Sequence, residues 1–399
     1  MKVLLVHNYY QDGGGESVVY ELERHALRAA GVTVIEFVRH NDEIRDYTLP
    51  SKLTLPLRTV WAWDTQRALR DLLRREQPAL AHFTNTLPLI SPAAYRTCQQ
   101  QGVAVVQGLH NYRLGCPAAT YMRDGKPCEE CPNHGLQRAV AHGCYRGSRA
   151  ASACVVGMLK LHRTLGSFER DVDAYLAPTT FTRNKLIETA ALPADRVFVK
   201  ANFLDTDPGL VDSLGSYALF AGRLVDYKGI LTLLAAAELE GPPVPLKIAG
   251  AGPLAVWLQA RCASIRGSEI LGALPRPEAI ARIKQARCLV FPSECYEAQP
   301  TVILEAFACG VPVVASRLGA MQEIVRDGVT GLLFNPGDAR DLRDKLNWAL
   351  ANREAMQAMG RRGRAEFEAH YSFGVGQAAL LRIHRETLLR KRGAAALQT

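Results

Sequence analysis

The sequence predicts an α/β protein built from two Rossmann-like, parallel-sheet domains, and three observations lead there. Short apolar runs that end in glycine-bearing loops alternate with helical stretches along nearly the whole chain. The alternation falls into two series joined near residues 203–216. The 399 residues, 48% hydrophobic and 22% charged, carry enough apolar material for two or three cores.

The first series opens with a buried strand at 1–7, whose Val3, Leu4, Leu5 and Val6 lead into Gly13, Gly14 and Gly15. A helical pattern at 17–30 and a second strand at 32–38 complete a strand, glycine loop, helix, strand unit. Further strands are expected at 79–83, 103–107, 174–178 and 197–200. The second series has strands at 218–220, 246–248, 270–271, 288–292 and 312–315, with helices from about 230, at 277–286 and at 300–309 between them. Ligands of such sheets bind beyond the carboxyl ends of the strands, so the expectation is a site in a cleft between two facing domains. The expected boundaries are 1–203, 204–370 and a terminal helix at 371–399 that packs back on the N-terminal domain.

Composition excludes disorder and a collagen-like repeat. No apolar run approaches the length of a membrane span, and the start turns polar after six residues, which argues against a signal peptide. The expectation is a soluble, cytoplasmic protein. A net charge of +9 suits an anionic substrate, a phospholipid surface or a nucleic acid. With only 7% aromatic residues and the chemistry-bearing cations at strand ends, a nucleic-acid partner is not expected.

The most specific stretch is SECYEAQPTVILEAFACGVPVVAS at 293–316, which follows a predicted strand. Seven residues separate Glu297, in the loop, from Glu305, inside the helix that Pro300 begins. Proline suits a first helical position, and the N–H groups of a helix start attract anions. Two carboxylates around such a site are placed to accept hydrogen bonds from sugar hydroxyls. In AGRLVDYKG at 221–229, Arg223 and Lys228 stand in a loop after a strand, where two cations can clamp a diphosphate. The glycine loop lacks the full G-x-G-x-x-G spacing, so a nicotinamide dinucleotide site is not expected.

Together these residues resemble the retaining, nucleotide-sugar-dependent glycosyltransferases of the GT-B fold, family 4. The resemblance covers nearly the whole chain: GGGE at 13–16, His110 at a strand end, GRLVDYKG, the GAGP turn at 250–253, and the E-x7-E element. It implies that Arg223 and Lys228 hold the leaving diphosphate, that Glu305 binds the ribose, and that Glu297 binds hydroxyls of the transferred sugar. It places His110 near the anomeric carbon and the 271–274 segment, including Leu274, against the nucleobase. Gly14, Gly15, Gly222, Ala298, Gln299, Pro300 and Thr301 are the remaining donor-binding positions. Ala298 departs from the family, where glycine is common. The implied reaction moves a sugar from a nucleotide diphosphate sugar to a hydroxyl of a glycan or lipid-linked acceptor, in polysaccharide biosynthesis. The leaving phosphate takes the acceptor proton, and no protein nucleophile is named. Other enzymes of this fold, such as an epimerase or a glycogen-synthase-like or phosphorylase-like enzyme, and a non-catalytic nucleotide-binding protein are the alternatives.

Catalysis requires no cofactor on this reading. Asp171-Val-Asp173 has the spelling of a D-x-D metal motif but precedes a strand, and is read as its lead-in. Cys116, Cys128, Cys131 and Cys144, with 11, 2 and 12 residues between them, read either as ligands of a structural zinc or as free thiols in an insertion at 113–149. The insertion has too few apolar residues to suggest a core of its own. Finally, residues 55–76 read as one helix with basic and aromatic faces, suited either to core packing or to an anionic membrane at the inner face of the plasma membrane.

Overall fold

The computed structural model describes residues 1–11 and 14–396 of the chain. It divides into two compact units, one made of Met1–Tyr121, Cys128–Asp205 and the segment from Phe373 onward, the other of Met122–Pro127 and Thr206–Ser372.

The first unit holds β1 (Lys2–Tyr9), β2 (Thr33–His40), β3 (Leu80–Asn85), β4 (Ala104–Gly108), β7 (Ala174–Ala177) and β8 (Val197–Val199), all parallel, in the order β2-β1-β3-β4-β7-β8. The hairpin of β5 (Met122–Arg123) and β6 (Lys126–Pro127) stands apart as a small sheet. Strands β1 and β3 are buried along their length, as expected where helices cover both faces of a parallel sheet. Val3, Leu5, Leu80 and Val106 from the strands meet Tyr20 and Leu27 of the helix Gly15–Ala29. Leu380 and Ile383 of the last helix, Phe373–Ala396, complete this core. Beside it lies a buried ion pair, Lys200 Nζ to Glu23 Oε1 at 2.6 Å, with His82 Nε2 3.6 Å from the other carboxylate oxygen. Although burial opposes its charge, the Glu23 carboxyl is held below the usual carboxylate range, chiefly by Lys200.

The second unit holds β9 (Tyr217–Ala221), β10 (Leu246–Ala249), β11 (Ser268–Gly272), β12 (Ala286–Phe291), β13 (Val313–Ser316) and β14 (Gly331–Phe334). Their order, β11-β10-β9-β12-β13-β14, is the 3-2-1-4-5-6 order of doubly wound nucleotide-binding sheets. Strand β14 was not expected from the sequence; its four residues follow a turn and carry too short an apolar run to stand out.

The single helix expected at 55–76 is two helices, Leu49–Val60 and Trp63–Glu76. The chain leaves helical geometry at Trp61, where Trp61 stacks on His162 with ring planes 6° apart and centroids separated by 5.5 Å. Leu69 and Leu73 are buried while Trp63 is exposed, so the aromatic and basic residues do not share one continuous face.

Candidate functional site

In the second unit the strand order reverses between β9 and β12, and open α/β sheets bind ligands beyond the strand ends at such a point. The loop after β9 carries Gly222, Arg223 and Lys228, and the loop after β12 carries Ser293 to Pro300. The two loops are tied by backbone: Glu294 N–H donates to the Tyr227 carbonyl at 2.9 Å. Gly229 permits that approach, since its φ is +69° and a Cβ there would lie 1.8 Å from the Pro292 carbonyl oxygen.

This approach brings Lys228 and Glu297 together. Lys228 Nζ donates to Glu297 Oε1 at 2.6 Å, and Ser293 Oγ donates to the same oxygen at 2.7 Å. Burial works against the charge on Lys228, but the Glu297 carboxylate more than offsets it and raises the lysine pKa above its ordinary value. A charge-assisted contact of this kind fixes both groups before any ligand arrives. Arg223 is exposed, and its charge and that of Lys228 both act on the Tyr227 hydroxyl, so the two cations share one region.

Glu305 lies one turn into the helix Thr301–Cys309, for which Pro300 is the N-cap rather than the first helical residue. No side chain caps this helix start, so its first-turn N–H groups stay oriented toward the loop. Arg276 Nε donates to Glu305 Oε1 at 3.0 Å. Gln299 is buried and Ala298 half-buried in the loop between the two glutamates. A cavity of about 270 Å³ is lined by Gly222, Arg223, Gly250, Ala273 and Leu274. Gly250 shapes it: a Cβ there would meet the Gly222 carbonyl oxygen at 1.8 Å. Arg276 and Ser293 were not singled out by sequence reasoning. Their neighbours in sequence, Leu274 and Glu297, were the only signal.

In the first unit His110 follows β4, and both of its ring nitrogens are buried without a hydrogen-bond partner. Burial, helped by Lys200 and His82 against Glu23, lowers its pKa to about 4, so the imidazole is neutral near pH 7. Gly108 makes room for the ring, because a Cβ at 108 would lie 2.4 Å from His110 Nε2. Asn111 Nδ2 donates to Glu16 Oε1, while Glu16 Oε2 is buried with no hydrogen-bond partner. Burial raises the Glu16 pKa, with Asn111, Arg113 and the Tyr10 hydroxyl opposing. A cavity of about 50 Å³ lined by Asn85, Gln107, His110, Asn111 and Arg113 adjoins this cluster, room enough for a hydroxyl-sized group. The sequence placed Glu16 only as a helix start; its orphaned oxygen is visible only in three dimensions. Gly14 caps the helix Gly15–Ala29 through its carbonyl, and a Cβ at Gly14 or Gly15 would meet nothing within 4 Å. Gly13 lies outside the described residues.

Cys116, Cys128, Cys131 and Cys144 are neighbours in the first unit. Burial pushes the Cys131 thiol up to about 11, and the thiols of Cys116, Cys144 and Cys128 add to the shift while the Ala139 amide opposes it. Among the described residues, however, no group of three or more His, Cys, Asp or Glu side chains is arranged to hold a metal. The premise that the insertion lacks a core is also corrected. Tyr121, Leu136 and Ala139 are buried in it, and the Tyr121 ring packs edge to face, 5.4 Å away, on the buried ring of Tyr112 just before the insertion. Their hydroxyls reach Thr182 and Thr189 of the helix Thr180–Ala190. Asp173 does lead into β7: its Oδ2 accepts the Val105 N–H at 2.7 Å, the Gln99 amide at 2.9 Å and Lys391 Nζ at 3.1 Å.

Two family models account for most of the chain, "Glycosyltransferase Family 4" over residues 12–208 and "Glycosyl transferases group 1" over residues 211–366. The chain is 31% identical over 155 residues to the D-rhamnosyltransferase WbpZ of Pseudomonas aeruginosa, a match covering 38% of this chain and 40% of that protein. It is 30% identical over 249 residues to the alpha-maltose-1-phosphate synthase of Mycolicibacterium smegmatis, covering 54% and 63%. These matches therefore span from two fifths to just under two thirds of the curated relatives' length. The fold is that of Anabaena Alr3699/HepE, whose structure was solved with UDP-glucose: TM-score 0.65, 16% identity, 97% of this chain and 100% of that one. The protein is an α/β chain of the GT-B type, two Rossmann-like units each with its own parallel sheet. In sequence and in fold it resembles the glycosyltransferases of families 4 and 1.

Proposed function

We propose that this protein transfers a sugar, with retention of anomeric configuration, from a nucleotide diphosphate sugar to a hydroxyl of a glycan or lipid-linked acceptor in polysaccharide biosynthesis. The observation that carries the reading is the Lys228–Glu297–Ser293 cluster at the switch point of the second sheet, followed along the chain by the Arg276–Glu305 pair one turn into the next helix. Lys228 and Arg223 hold the diphosphate, Glu305 the ribose and Glu297 the sugar hydroxyls, while Leu274 borders the base. The bound UDP-glucose of the HepE structure supports this class of donor. In the first unit, neutral His110 contacts the sugar, and the open oxygen of Glu16 accepts a hydrogen bond from the acceptor hydroxyl. The proton of that hydroxyl leaves on the departing phosphate, so the protein supplies position and charge rather than a nucleophile.

The test begins with thermal shift against UDP, GDP and ADP, since a ligand that binds only the folded chain raises its melting temperature. One nucleotide is expected to stabilise the wild type, and Glu305→Ala and Lys228→Ala to weaken that effect. Arg223→Ala is expected to slow transfer, with a loss on the order of 3 kcal/mol in the transition state, about a hundredfold or more in rate. Proton NMR of the product from an α-linked donor is expected to show an α-linkage. A β-linked product, or three variants with wild-type turnover, removes the reading.

A further inference from the structure

Leu49, Leu53 and Leu57 recur every fourth residue of the helix Leu49–Val60 and therefore lie on one face. They are 73%, 73% and 63% exposed, and Trp63, at the start of the next helix, is 49% exposed. Lys52 and Pro56, on the same arc of the helix, are exposed as well. Single exposed leucines are ordinary, whereas three in helical register, followed by an exposed tryptophan, form a strip that water does not favour.

The helix is held in place on its other contacts. Thr59 is buried, the Cys154 thiol donates to the Pro56 carbonyl at 3.3 Å, and the Val60 carbonyl accepts from His162 Nε2 at 2.9 Å. Cys154 and His162 belong to the helix Arg149–Thr164, which packs along it. Neither helix contains an acidic residue, and together they carry Lys52, Arg58, Arg149, Lys160 and Arg163. Arg58 is answered by Asp64, while Lys52, Arg149, Lys160 and Arg163 are exposed, as is Arg146 just before the second helix. Of the acids flanking the first helix, Asp42 is paired with Arg45, Glu43 with Arg39, and Asp64 with Arg58 and Arg39, while Asp46, exposed just before the helix, stands beside the exposed Arg45 and Lys52.

An apolar strip on an acid-free, cationic helix pair is complementary to a surface with a negative headgroup layer over an apolar interior. A second copy of this chain is a poorer occupant, because a two-fold contact through the strip would bring Lys52 and its neighbours against their own equivalents. We propose that the helix pair Leu49–Val60 and Arg149–Thr164 docks on an anionic lipid bilayer, with Leu49, Leu53, Leu57 and Trp63 entering at headgroup depth. This surface differs from the basic and aromatic helix expected from sequence, and it does not depend on sugar transfer.

The experiment is co-sedimentation of the full chain, without substrate, with phosphatidylcholine vesicles that do or do not contain about one third phosphatidylglycerol. Wild-type partitioning is expected to rise at least about tenfold with phosphatidylglycerol and to fall at about 0.5 M salt, where charge attraction is screened. Leu53→Ser combined with Leu57→Ser is expected to lower partitioning about tenfold with an unchanged melting temperature, since both side chains are already in water. Lys52→Glu with Arg149→Glu is expected to abolish the phosphatidylglycerol dependence. The proposal is overturned if the wild type stays in the supernatant, or if either variant partitions like the wild type. It is also overturned if sedimentation equilibrium finds a wild-type dimer that Leu53→Ser/Leu57→Ser dissociates, which would make a second copy the occupant.

Discussion

At the scale of single residues, burial opposes positive charge in both units, and the neighbouring groups decide the outcome. Lys228 is kept charged by the carboxylate beside it, which would suit the diphosphate contact proposed for it. His110 is kept neutral by burial, which would suit the sugar contact proposed for it, since a neutral ring does not repel positive character developing at an anomeric carbon. The position of that ring depends on a residue without a side chain. Gly108→Ala would set a methyl 2.4 Å from His110 Nε2, and the buried ring has to rotate away. The expected result is transfer reduced by about tenfold or more with nucleotide binding unchanged, measured as kcat against the thermal shift given by the nucleotide; this follows from misplacement of a positioned group. Unchanged kcat in a folded Gly108→Ala protein would return His110 to a structural role. The placement of Arg223, Lys228 and Glu297 in loops after strands, and of Glu305 in the helix that follows, was legible in the sequence because strands on either side constrain the length and flanks of those segments. Glu16, Ser293 and Arg276 were not, because nothing local marks a carboxylate oxygen left unpaired or a partner contributed by another loop.

At the scale of elements, the insertion and the last helix both gain their order from tertiary contact. Tyr121 of the insertion and Tyr112 just before it bury their rings and hydrogen-bond their hydroxyls to the helix Thr180–Ala190. Tyr121→Ala removes one ring and leaves the Thr189 hydroxyl without it, so a loss of roughly 3 kcal/mol is expected, read as a lower urea midpoint at unchanged slope. Cys128→Ser, at a partly exposed thiol, is expected to change that midpoint far less. If the cysteine variant were the more damaging of the two, the thiols rather than the tyrosines would be the element's staple. The helix Phe373–Ala396 is distant in sequence from the sheet it covers, yet Leu380 and Ile383 lie in the same core as Val3 and Leu5. Deleting the chain from Phe373 would open that core to water, and the expected result is loss of cooperative unfolding in the first unit. The helical pattern and the direction of packing were readable from sequence. The break at Trp61 was not, because stacking on His162, a hundred residues later, decides it.

At the scale of the whole molecule, the histidines are unevenly divided. Of the ten, only His370 belongs to the second unit. In the first unit burial lowers the pKa of His7 to about 3 and of His110 to about 4, and it depresses His82, His162 and His384 as well. Their unfolded values lie near 6.5, so below that pH the unfolded chain takes up protons that the folded unit refuses. Stability of the first unit is therefore expected to be full above about pH 6.5 and to fall as pH drops toward about 4, while the second unit holds over most of that range. Hydrogen exchange read by mass spectrometry at pH 7 and pH 5, corrected for intrinsic rates, separates the two, and equal losses in both units would contradict the assignment.

The sequence by itself determined the class of fold, the order of the strands along the chain except for the β5–β6 hairpin and β14, and the segments that carry the conspicuous charges. Periodic burial and glycine-bearing strand ends are local properties, and the chain states them residue by residue. Only the tertiary structure decided which groups those charges meet: Lys228 with Glu297, Arg276 with Glu305, Asn111 with one oxygen of Glu16 and not the other. It also decided that Cys116, Cys128 and Cys144 come together around Cys131, and that three leucines of one helix remain in water. The reason is that pairing and exposure depend on residues tens to hundreds of positions apart, brought together by packing that no window of sequence contains.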